Sequence, residues 1–350
     1  MIEKKNFFLR NIWYYALPGG KLKPGKMLAK TILGEPILFA RSRNGKVFAL
    51  RDICPHRGIP LSCGRFEGDE IECCYHGWRF DTSGRCTAIP SLVEGQEFDF
   101  SRLRVKQYLV CEVQGNIWIY MPEGNSEITE MPEMEIPMVP YFKDKPYQFV
   151  EVMRFPCYLD HAVVGLMDPA HSPFVHRAWW WRSGRKFFHE VKKFIPSPYG
   201  FTMQRQKLEN MGRGYWLIGG IPEVEISFRL PAIRIETITT KNNIICNLTA
   251  VTPISETESE VTFLAYWNVP WLGAIAPLLQ PLARAFLNQD RQVVIKQQIG
   301  LQYNPTLMLI DDADVQARWY FQLKTEFARA TAEGRAFVNP VKERTLQWRA

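Results

Sequence analysis

The sequence lacks four features that would each assign the chain to a broad class. Its most apolar stretch, Trp271 to Leu279, is far shorter than the roughly 20 residues that a membrane-spanning helix needs. Its net charge of +7 comes from 43 basic and 36 acidic side chains, without the dense basic block typical of nucleic-acid-binding proteins. Residues Met1 to Arg10 do not resemble a secretory leader, and eight cysteines in 350 residues are too few for a disulfide scaffold. We therefore expect a cytoplasmic protein with no transmembrane segment and no nucleic-acid partner.

The length and composition predict a folded chain of about two domains. Hydrophobic residues make up 46% of the sequence and charged residues 23%, the balance of a globular protein. Short apolar runs extend from Asn11 to Met121, and two of them flank Asn44-Gly45, a hairpin signal because both turn residues tolerate positive φ. A small all-β domain is therefore predicted at residues 7–122. Prolines and glutamates then predict a linker at residues 123–146.

The rest of the chain, residues 147–350, combines strand and helix patterns. Apolar and polar side chains alternate over residues 224–230, and strand-like runs follow from Ile244 to Ala250 and from Val261 to Tyr266. Helices are predicted from Pro277 to Leu301 and from Ala313 to Glu333. The predicted fold class is therefore α+β, with the all-β domain first and an α+β domain after it.

Two pairs of potential metal ligands lie in the all-β region. Cys54 and His56 form a C-x-H pair, and after sixteen intervening residues Cys73 and His76 form a C-x-x-H pair. Two thiolates and two imidazoles can hold a tetrahedral zinc ion, or a [2Fe–2S] cluster in which the histidines bind one iron and the cysteines the other. The spacing alone leaves both possibilities open. The remaining cysteines are expected to be small buried or half-buried apolar residues: Cys63, Cys74, Cys86, Cys111, Cys157 and Cys246.

The sequences Cys-Pro-His-Arg-Gly and Cys-Tyr-His-Gly-Trp-Arg-Phe closely resemble the Rieske ferredoxin motif of Rieske oxygenases. The resemblance covers roughly residues 11–122 and includes the later Gly84-Arg85-Cys86 and Ile89-Pro90-Ser91. It implies a [2Fe–2S] cluster held by Cys54, His56, Cys73 and His76. Cys74 is the other candidate thiolate, but its use would shorten the second pair to C-x-H and depart from the family spacing.

A second group of potential ligands begins with Asp168, three residues before His171 and eight before His176. The two histidines differ by about 140° on a regular helix, so they do not share a helix face, although Pro173 between them supplies an irregularity. Two imidazoles need one carboxylate to form the facial triad of a non-haem ferrous site. Asp290 on the first predicted helix is the preferred candidate. Its rivals lie near the start of the second helix: Asp311, Asp312 and Asp314.

Together, the Asp-x-x-His-x-x-x-x-His segment and the late Gln-Asp-x-x-Val-Val segment resemble the catalytic domain of Rieske oxygenases related to vanillate O-demethylase and dicamba monooxygenase. This resemblance implies a helix-grip (START-like) catalytic domain in which His171, His176 and Asp290 hold mononuclear Fe(II). It assigns Asp168 to a bridge between His76 of one subunit and His171 of its neighbour. It also implies a homotrimer.

The family resemblance implies the terminal oxygenase (alpha) component of a multicomponent system. Such a component uses O₂ to hydroxylate or oxidatively demethylate a substrate. No G-x-G-x-x-G fingerprint is found, so NAD(P)H would supply electrons through a separate ferredoxin or flavin reductase. We expect a hydrophobic, ring-containing substrate, aromatic or sterol-like. The aromatic residues that follow the iron ligands could line its pocket, or could equally form a surface patch or a subunit interface: Trp179, Trp180, Trp181, Phe187 and Phe188. The alternatives are an aromatic-ring cis-dihydroxylase and a Rieske electron carrier. His161 and His189 fit no ligand spacing.

Overall fold

The computed structural model describes residues 7–96, 98–99, 102–124, 131–176, 188–207 and 219–349. The chain divides into two compact units. The N-terminal unit comprises Arg10–Ile136, and the C-terminal unit comprises Pro137–Ala350 together with the residues before Arg10. The predicted linker, residues 123–146, is divided between the two units.

Short antiparallel strands build the N-terminal unit, as the sequence predicts. In its described part they form three sheets, ordered β1-β11-β10, β2-β3-β4-β9 and β5-β6-β7-β8. Their bounds are β1 (Ile12–Pro18), β2 (Lys26–Ile32), β3 (Glu35–Arg41), β4 (Val47–Arg51), β5 (Arg65–Glu67), β6 (Glu70–Glu72), β7 (Arg79–Asp81), β8 (Cys86–Ala88), β9 (Gln107–Tyr108), β10 (Val110–Val113) and β11 (Asn116–Met121).

The hairpin signal at Asn44-Gly45 is confirmed, but the turn is longer than expected. Strands β3 and β4 pair antiparallel up to Arg41 and Val47, which leaves a five-residue loop. Within this loop Gly45 has a φ of +92°, whereas Asn44 does not have a positive φ. The Asn44 side chain instead accepts a hydrogen bond from the backbone N–H of Lys46, at 3.1 Å. The asparagine therefore stabilises the loop through its side chain.

One antiparallel sheet dominates the C-terminal unit, in the order β12-β18-β17-β16-β15-β14-β13-β19. Its strands are β12 (Phe149–Phe155), β13 (His189–Ser197), β14 (Gly200–Lys207), β15 (Glu223–Arg229), β16 (Ile233–Thr239), β17 (Ile244–Pro253), β18 (Ser259–Trp267) and β19 (Arg344–Arg349). The described helices are α1 (Leu159–Met167), α2 (Ser172–Val175), α3 (Leu272–Leu301) and α4 (Val315–Ala332). All-β and mixed units together confirm the predicted α+β class.

Helix α4 packs on this sheet through aromatic rings. Trp319 contacts Phe194 and Phe201, with ring centroids 5.7 and 5.1 Å apart. Tyr320 meets Phe228 edge-on at 5.8 Å. Phe228 belongs to the segment whose alternation predicts a strand, and this segment becomes β15. The core of the unit therefore lies between α4 and the inner face of the sheet.

Both predicted long helices are present, with shifted starts. Helix α3 begins at Leu272 rather than Pro277, and Pro277 and Pro281 lie inside it. The apolar stretch around its start is only partly buried: Trp267 and Val269 join a core cluster, whereas Trp271 and Leu278 are exposed. Within the part of the chain that the structure describes, no helix is both long and apolar enough to cross a membrane.

Candidate metal centres

Two loops of the N-terminal unit carry the Cys and His pairs and fold in the same way. The loops comprise residues 54–59 and 73–78. In each, the cysteine N–H donates a 2.8 Å hydrogen bond to the carbonyl of the sixth residue. The N–H of the fifth residue donates back to the cysteine carbonyl, at 2.9 and 3.0 Å. This fifth residue is a glycine in both loops, Gly58 and Gly77, with φ values of +71° and +70° that favour glycine.

This equivalence places Cys54 and Cys73 at matching positions. Both are buried, with 1% and 2% of their surfaces exposed, and both belong to one apolar cluster. Cys74 is exposed, because its neighbour takes the inward position. Burial raises the pKa of Cys54 to about 11, although the backbone amides of His56 and Arg57 act in the opposite direction. A metal ion would be needed to hold such a thiol as thiolate at neutral pH.

The two histidines lie side by side near the surface of the same unit. The rings of His56 and His76 have centroids 4.5 Å apart. Trp78 stacks on His56, at 4.6 Å and an interplanar angle of 6°. Local spacing in the sequence does not reveal this role of Trp78, because the tryptophan comes from the other loop. Both imidazoles are half-buried, so a metal centre held by them would lie close to solvent.

The donor set fits a two-iron cluster better than a single zinc ion. Donor atoms bound to one tetrahedral zinc, about 2.0 to 2.3 Å from each ligand, would all lie within about 4 Å of one another. Among the described residues, the four side chains Cys54, His56, Cys73 and His76 do not form such a group. A [2Fe–2S] cluster separates the cysteine pair from the histidine pair by the width of the cluster.

In the C-terminal unit, a short helix brings His171 and His176 together. The helix α2 occupies the four residues between them and begins next to Pro173. The Nε2 atoms of the two histidines lie 3.2 Å apart. The predicted irregularity at the proline is thus a single helical turn, with one histidine at each end. His176 is 3% exposed and His171 is half-buried.

Asp290 on α3 completes this second group. Its Oδ1 lies 3.3 Å from Nε2 of His176 and 3.6 Å from Nε2 of His171. The donor atoms of these three residues all lie within 4.8 Å of one another, and no other such group occurs among the described residues. With metal–ligand distances of about 2.1 Å, separations of this size correspond to ligand–metal–ligand angles of about 100° to 120°. The three donors therefore suit one face of a metal ion, leaving the opposite side open.

Electrostatics also favour a cation at this point. Burial lowers the pKa of His171, but the carboxylates of Asp168 and Asp290 outweigh burial and leave this pKa above its ordinary value. At His176 burial prevails and lowers the pKa, although Asp290 opposes it. Burial raises the pKa of Asp290 despite the attraction of both imidazoles. A divalent ion would offset the cost of holding this carboxylate in a buried place.

Asp168 lies directly behind His171. It is the C-cap of α1, and its Oδ1 accepts a 2.8 Å hydrogen bond from the backbone N–H of Ala170. Its Oδ2 lies 3.6 Å from Nδ1 of His171, beyond hydrogen-bond length. Nδ1 of His171 is buried and has no hydrogen-bond partner among the described residues.

Two further residues of α3, which were not among the predicted site residues, also contact the group. Oε1 of Gln289 lies 2.9 Å from Nδ1 of His176. The ring of Phe286 stacks on His176, with centroids 3.9 Å apart and planes at 11°. Gln289 is the first residue of the Gln-Asp-x-x-Val-Val segment. This segment is the one signal in the sequence that could have pointed to it.

The rival carboxylates and the other two histidines lie outside this group. Asp311 pairs with Arg318 at 2.7 Å, and Asp312 pairs with Arg344 at 2.9 Å. Asp314 accepts a 2.8 Å hydrogen bond from the N–H of Ile310. His161 lies on α1, and His189 on β13 contacts Gln347 at 3.1 Å.

The expectation for the remaining cysteines is wrong at two positions. Cys86, Cys157 and Cys246 are buried and Cys111 is half-buried, as expected, whereas Cys63 and Cys74 are exposed. Cys63 ends a 3₁₀ turn that follows Pro60, and a turn on the surface directs its last side chain outward. The aromatic residues Trp179, Trp180, Trp181 and Phe187 lie outside the described residues.

Comparison with known proteins agrees with this description. Residues 12–109 match the family model of the Rieske [2Fe-2S] domain. A crystal structure of dicamba monooxygenase bound to dicamba superposes with a TM-score of 0.75, at 24% identity, over 93% of this chain and 99% of that chain. At this identity the likeness shows the fold, which is thus shared over nearly the whole length.

Curated relatives are similar over shorter stretches. The oxygenase component of dicamba O-demethylase from Stenotrophomonas maltophilia is 34% identical over 49% of this chain and 48% of its own. The 4beta-methylsterol monooxygenase of Methylococcus capsulatus is 31% identical over 48% of this chain and 44% of its own. The chain thus spans under half of the length of these relatives.

Proposed function

We propose that this chain, a relative of the Rieske-type non-haem iron oxygenases with a Rieske [2Fe-2S] domain at residues 12–109, is the terminal oxygenase of a multicomponent system. One observation carries the proposal: His171, His176 and Asp290 present three donor atoms to a common point in the unit that lacks the cluster motif. An electron carrier has no use for a second, open metal site, so this observation disfavours the carrier alternative.

In the proposed enzyme, Cys54 and Cys73 hold one iron of the cluster, and His56 and His76 hold the other. His171, His176 and Asp290 hold a ferrous ion. When bound, these groups supply single electrons and a site at which O₂ is reduced and one oxygen atom is transferred to the substrate. The chain itself fixes the ligands and covers one side of the ferrous site.

Asp168 is proposed to link the two centres between subunits. Its carboxylate lies 3.6 Å from His171 Nδ1, so a small shift would make it an acceptor for this N–H. A second acceptor oxygen on the same carboxylate could receive the N–H of His76 from another copy of the chain. This arrangement would fix the tautomers of both imidazoles and offer a short electron path. It requires an oligomer, for which we propose the homotrimer.

The proposed reaction is hydroxylation or oxidative demethylation of a hydrophobic, ring-containing substrate. For a methyl ether, O₂, two electrons and two protons convert the methyl group to a hemiacetal and release water; the hemiacetal then breaks down to formaldehyde and the free hydroxyl compound. The names of the two curated relatives support this choice, since one is a dicamba O-demethylase and the other a methylsterol monooxygenase. Ring cis-dihydroxylation is the alternative. We further propose a cytoplasmic enzyme that receives NAD(P)H electrons through a ferredoxin or flavin reductase.

The test uses the full chain with a ferredoxin, its reductase and NADH, and a panel of aryl methyl ethers, methylated arenes and methylsterols. Formaldehyde or an oxidised methyl group, formed in an O₂-dependent way, is the expected product. Asp290→Asn should abolish product formation, whereas Asp311→Asn, a matched change at a rival carboxylate, should retain it. A cis-diol without any methyl oxidation would contradict the demethylase preference, and full activity in Asp290→Asn would contradict the site.

A further inference from the structure

The two histidines of the C-terminal site are oriented alike but have different outer partners. Each directs Nε2 toward the common point and Nδ1 away from it. Behind His171 lies the carboxylate of Asp168, at 3.6 Å from Nδ1. Behind His176 lies the neutral amide of Gln289, at 2.9 Å. The contact between Gln289 and His176 is the shorter of the two, and its length is that of a normal hydrogen bond.

The contact with Gln289 selects one tautomer of His176. A glutamine carbonyl oxygen accepts hydrogen bonds, so Nδ1 of His176 must carry the proton that it donates to Oε1. Nε2 then keeps its lone pair, and Nε2 is the atom that faces Asp290 and His171. An imidazole with the opposite tautomer would direct an N–H toward the place of the cation. The amide therefore keeps the ring ready to bind metal before any metal arrives.

Phe286 restricts the same ring in a different way. Its near-parallel stack, with planes at 11°, fixes the plane of the imidazole. Stacking alone still allows the ring to flip by roughly 180° about the Cβ–Cγ bond, because the flip leaves the ring in the same plane. The hydrogen bond at Nδ1 disfavours the flipped state, in which Nδ1 would no longer face Gln289. Gln289 and Phe286 thus act on separate degrees of freedom of one ligand.

A single helix face supplies these contacts. Phe286, Gln289 and Asp290 are related by i, i+3 and i+4, so their side chains fall within about 100° of one another around α3. Side chains from the same helix anchor it to β12: Arg291 Nε donates to the carbonyl of Arg154 at 2.9 Å, and Gln280 Nε2 donates to the carbonyl of Val150 at 3.2 Å. Helix α3 therefore fixes the ligand Asp290 and the two supporting side chains relative to one another.

We propose that Gln289 is a positioning residue of the C-terminal metal site, which sets the tautomer and the ring-flip state of His176 for cation binding. This inference rests on the proposed function only for the existence of the metal site. A neutral amide at this place supports the second histidine without adding a second negative charge behind the site, where Asp168 already contributes one. Outer partners of this kind typically change metal affinity by about 10- to 100-fold when they are lost.

The experiment measures metal affinity rather than turnover. The full chain, with its cluster retained and the mononuclear site stripped by chelation, is titrated with Co²⁺ against a chromophoric chelator, and the visible absorption of bound Co²⁺ is recorded. Gln289→Leu should weaken Co²⁺ binding by about 10- to 100-fold and change the Co²⁺ spectrum. Gln289→Glu, which keeps an oxygen acceptor of equal reach, should bind Co²⁺ clearly more tightly than Gln289→Leu.

Gln292→Leu is the matched control, since Gln292 lies on the same helix but is exposed, and its side chain donates a hydrogen bond to Asn288 at 3.5 Å. It should leave affinity and spectrum unchanged. Equal affinity in Gln289→Leu and Gln292→Leu would overturn the inference, and so would an equal loss in Gln289→Leu and Gln289→Glu. A parent chain that binds no Co²⁺ at the stripped site would instead refute the proposed function itself.

Discussion

A buried ion pair between α1 and α4 leads to a quantitative prediction about the C-terminal unit. Nζ of Lys324 lies 2.7 and 2.8 Å from the two carboxylate oxygens of Asp160. The side chains are 4% and 15% exposed. The hydroxyl of Tyr320 donates to the same carboxylate at 2.6 Å. Helix α1 ends at Met167, just before the segment with the proposed iron ligands, so the pair also holds this segment in place.

The magnitude follows from the geometry of the pair. At 2.7 Å and an effective dielectric constant of about 20, two unit charges attract by about 6 kcal/mol. Removing both ions from water costs several kcal/mol each, so the net value of the intact pair is small. Removing one partner leaves the other charge buried, and this costs about 3 to 5 kcal/mol. Lys324→Met should therefore lower the free energy of unfolding by this amount. The double variant, Lys324→Met with Asp160→Asn, should lower it by clearly less than the sum of the two single changes.

The assay is urea unfolding followed by circular dichroism, with a double-mutant cycle at the two positions. Lys193→Met is the matched control, because Lys193 and Glu343 are also 2.7 Å apart but their side chains are 46% and 57% exposed. It should cost at most about 1 kcal/mol. If Lys324→Met costs no more than Lys193→Met, or if the two single changes add without coupling, the reasoning about burial is refuted.

Three further predictions concern charge, electron transfer and backbone shape. Burial raises the pKa of Glu35, but the hydroxyl of Tyr108 and neighbouring cations outweigh it, and the folded pKa lies below 4.5. Between the folded pKa and 4.5, only the unfolded chain binds a proton at this carboxylate. The free energy of unfolding should therefore fall as the pH drops through this window. In Glu35→Gln, the calorimetric Tm should fall less over the same pH range. Asp168→Asn should keep both metal contents and lose nearly all turnover, and unchanged turnover would contradict the bridge. Gly84→Ala, with φ +79° and a Cβ 2.2 Å from a carbonyl oxygen, should cost at least about 2 kcal/mol in urea unfolding. Gly68→Ala, with φ +64° and open space around the Cβ, should cost less.

Local patterns in the sequence predicted the elements of the fold well. The alternation over residues 224–230 becomes β15, and the helical spacing after Pro277 becomes most of α3. These predictions succeed because side-chain periodicity reflects which face of an element is buried. The predicted start of α3 at Pro277 lies five residues after the observed start at Leu272, and Pro277 and Pro281 stand inside the helix although proline usually disfavours such positions.

The ligands could be predicted where they lie close together in the sequence, and their supports could not. His171 and His176 are five residues apart, whereas Asp290 joins them from a helix more than a hundred residues later. Asp311 and Asp290 look alike in the sequence, and only folding brings one of them to the histidines. Gln289 acts through a contact across this same distance, which no local spacing reveals.

The claim that this chain holds both a Rieske cluster and a separate mononuclear iron site is tested most directly by counting iron and acid-labile sulfide per chain in protein purified without oxygen. The expected result is about three irons and about two sulfides, with a cluster absorption that dithionite bleaches and one iron that Asp290→Asn loses. Two irons with two sulfides would contradict the mononuclear site. Zinc without iron or sulfide would contradict both centres.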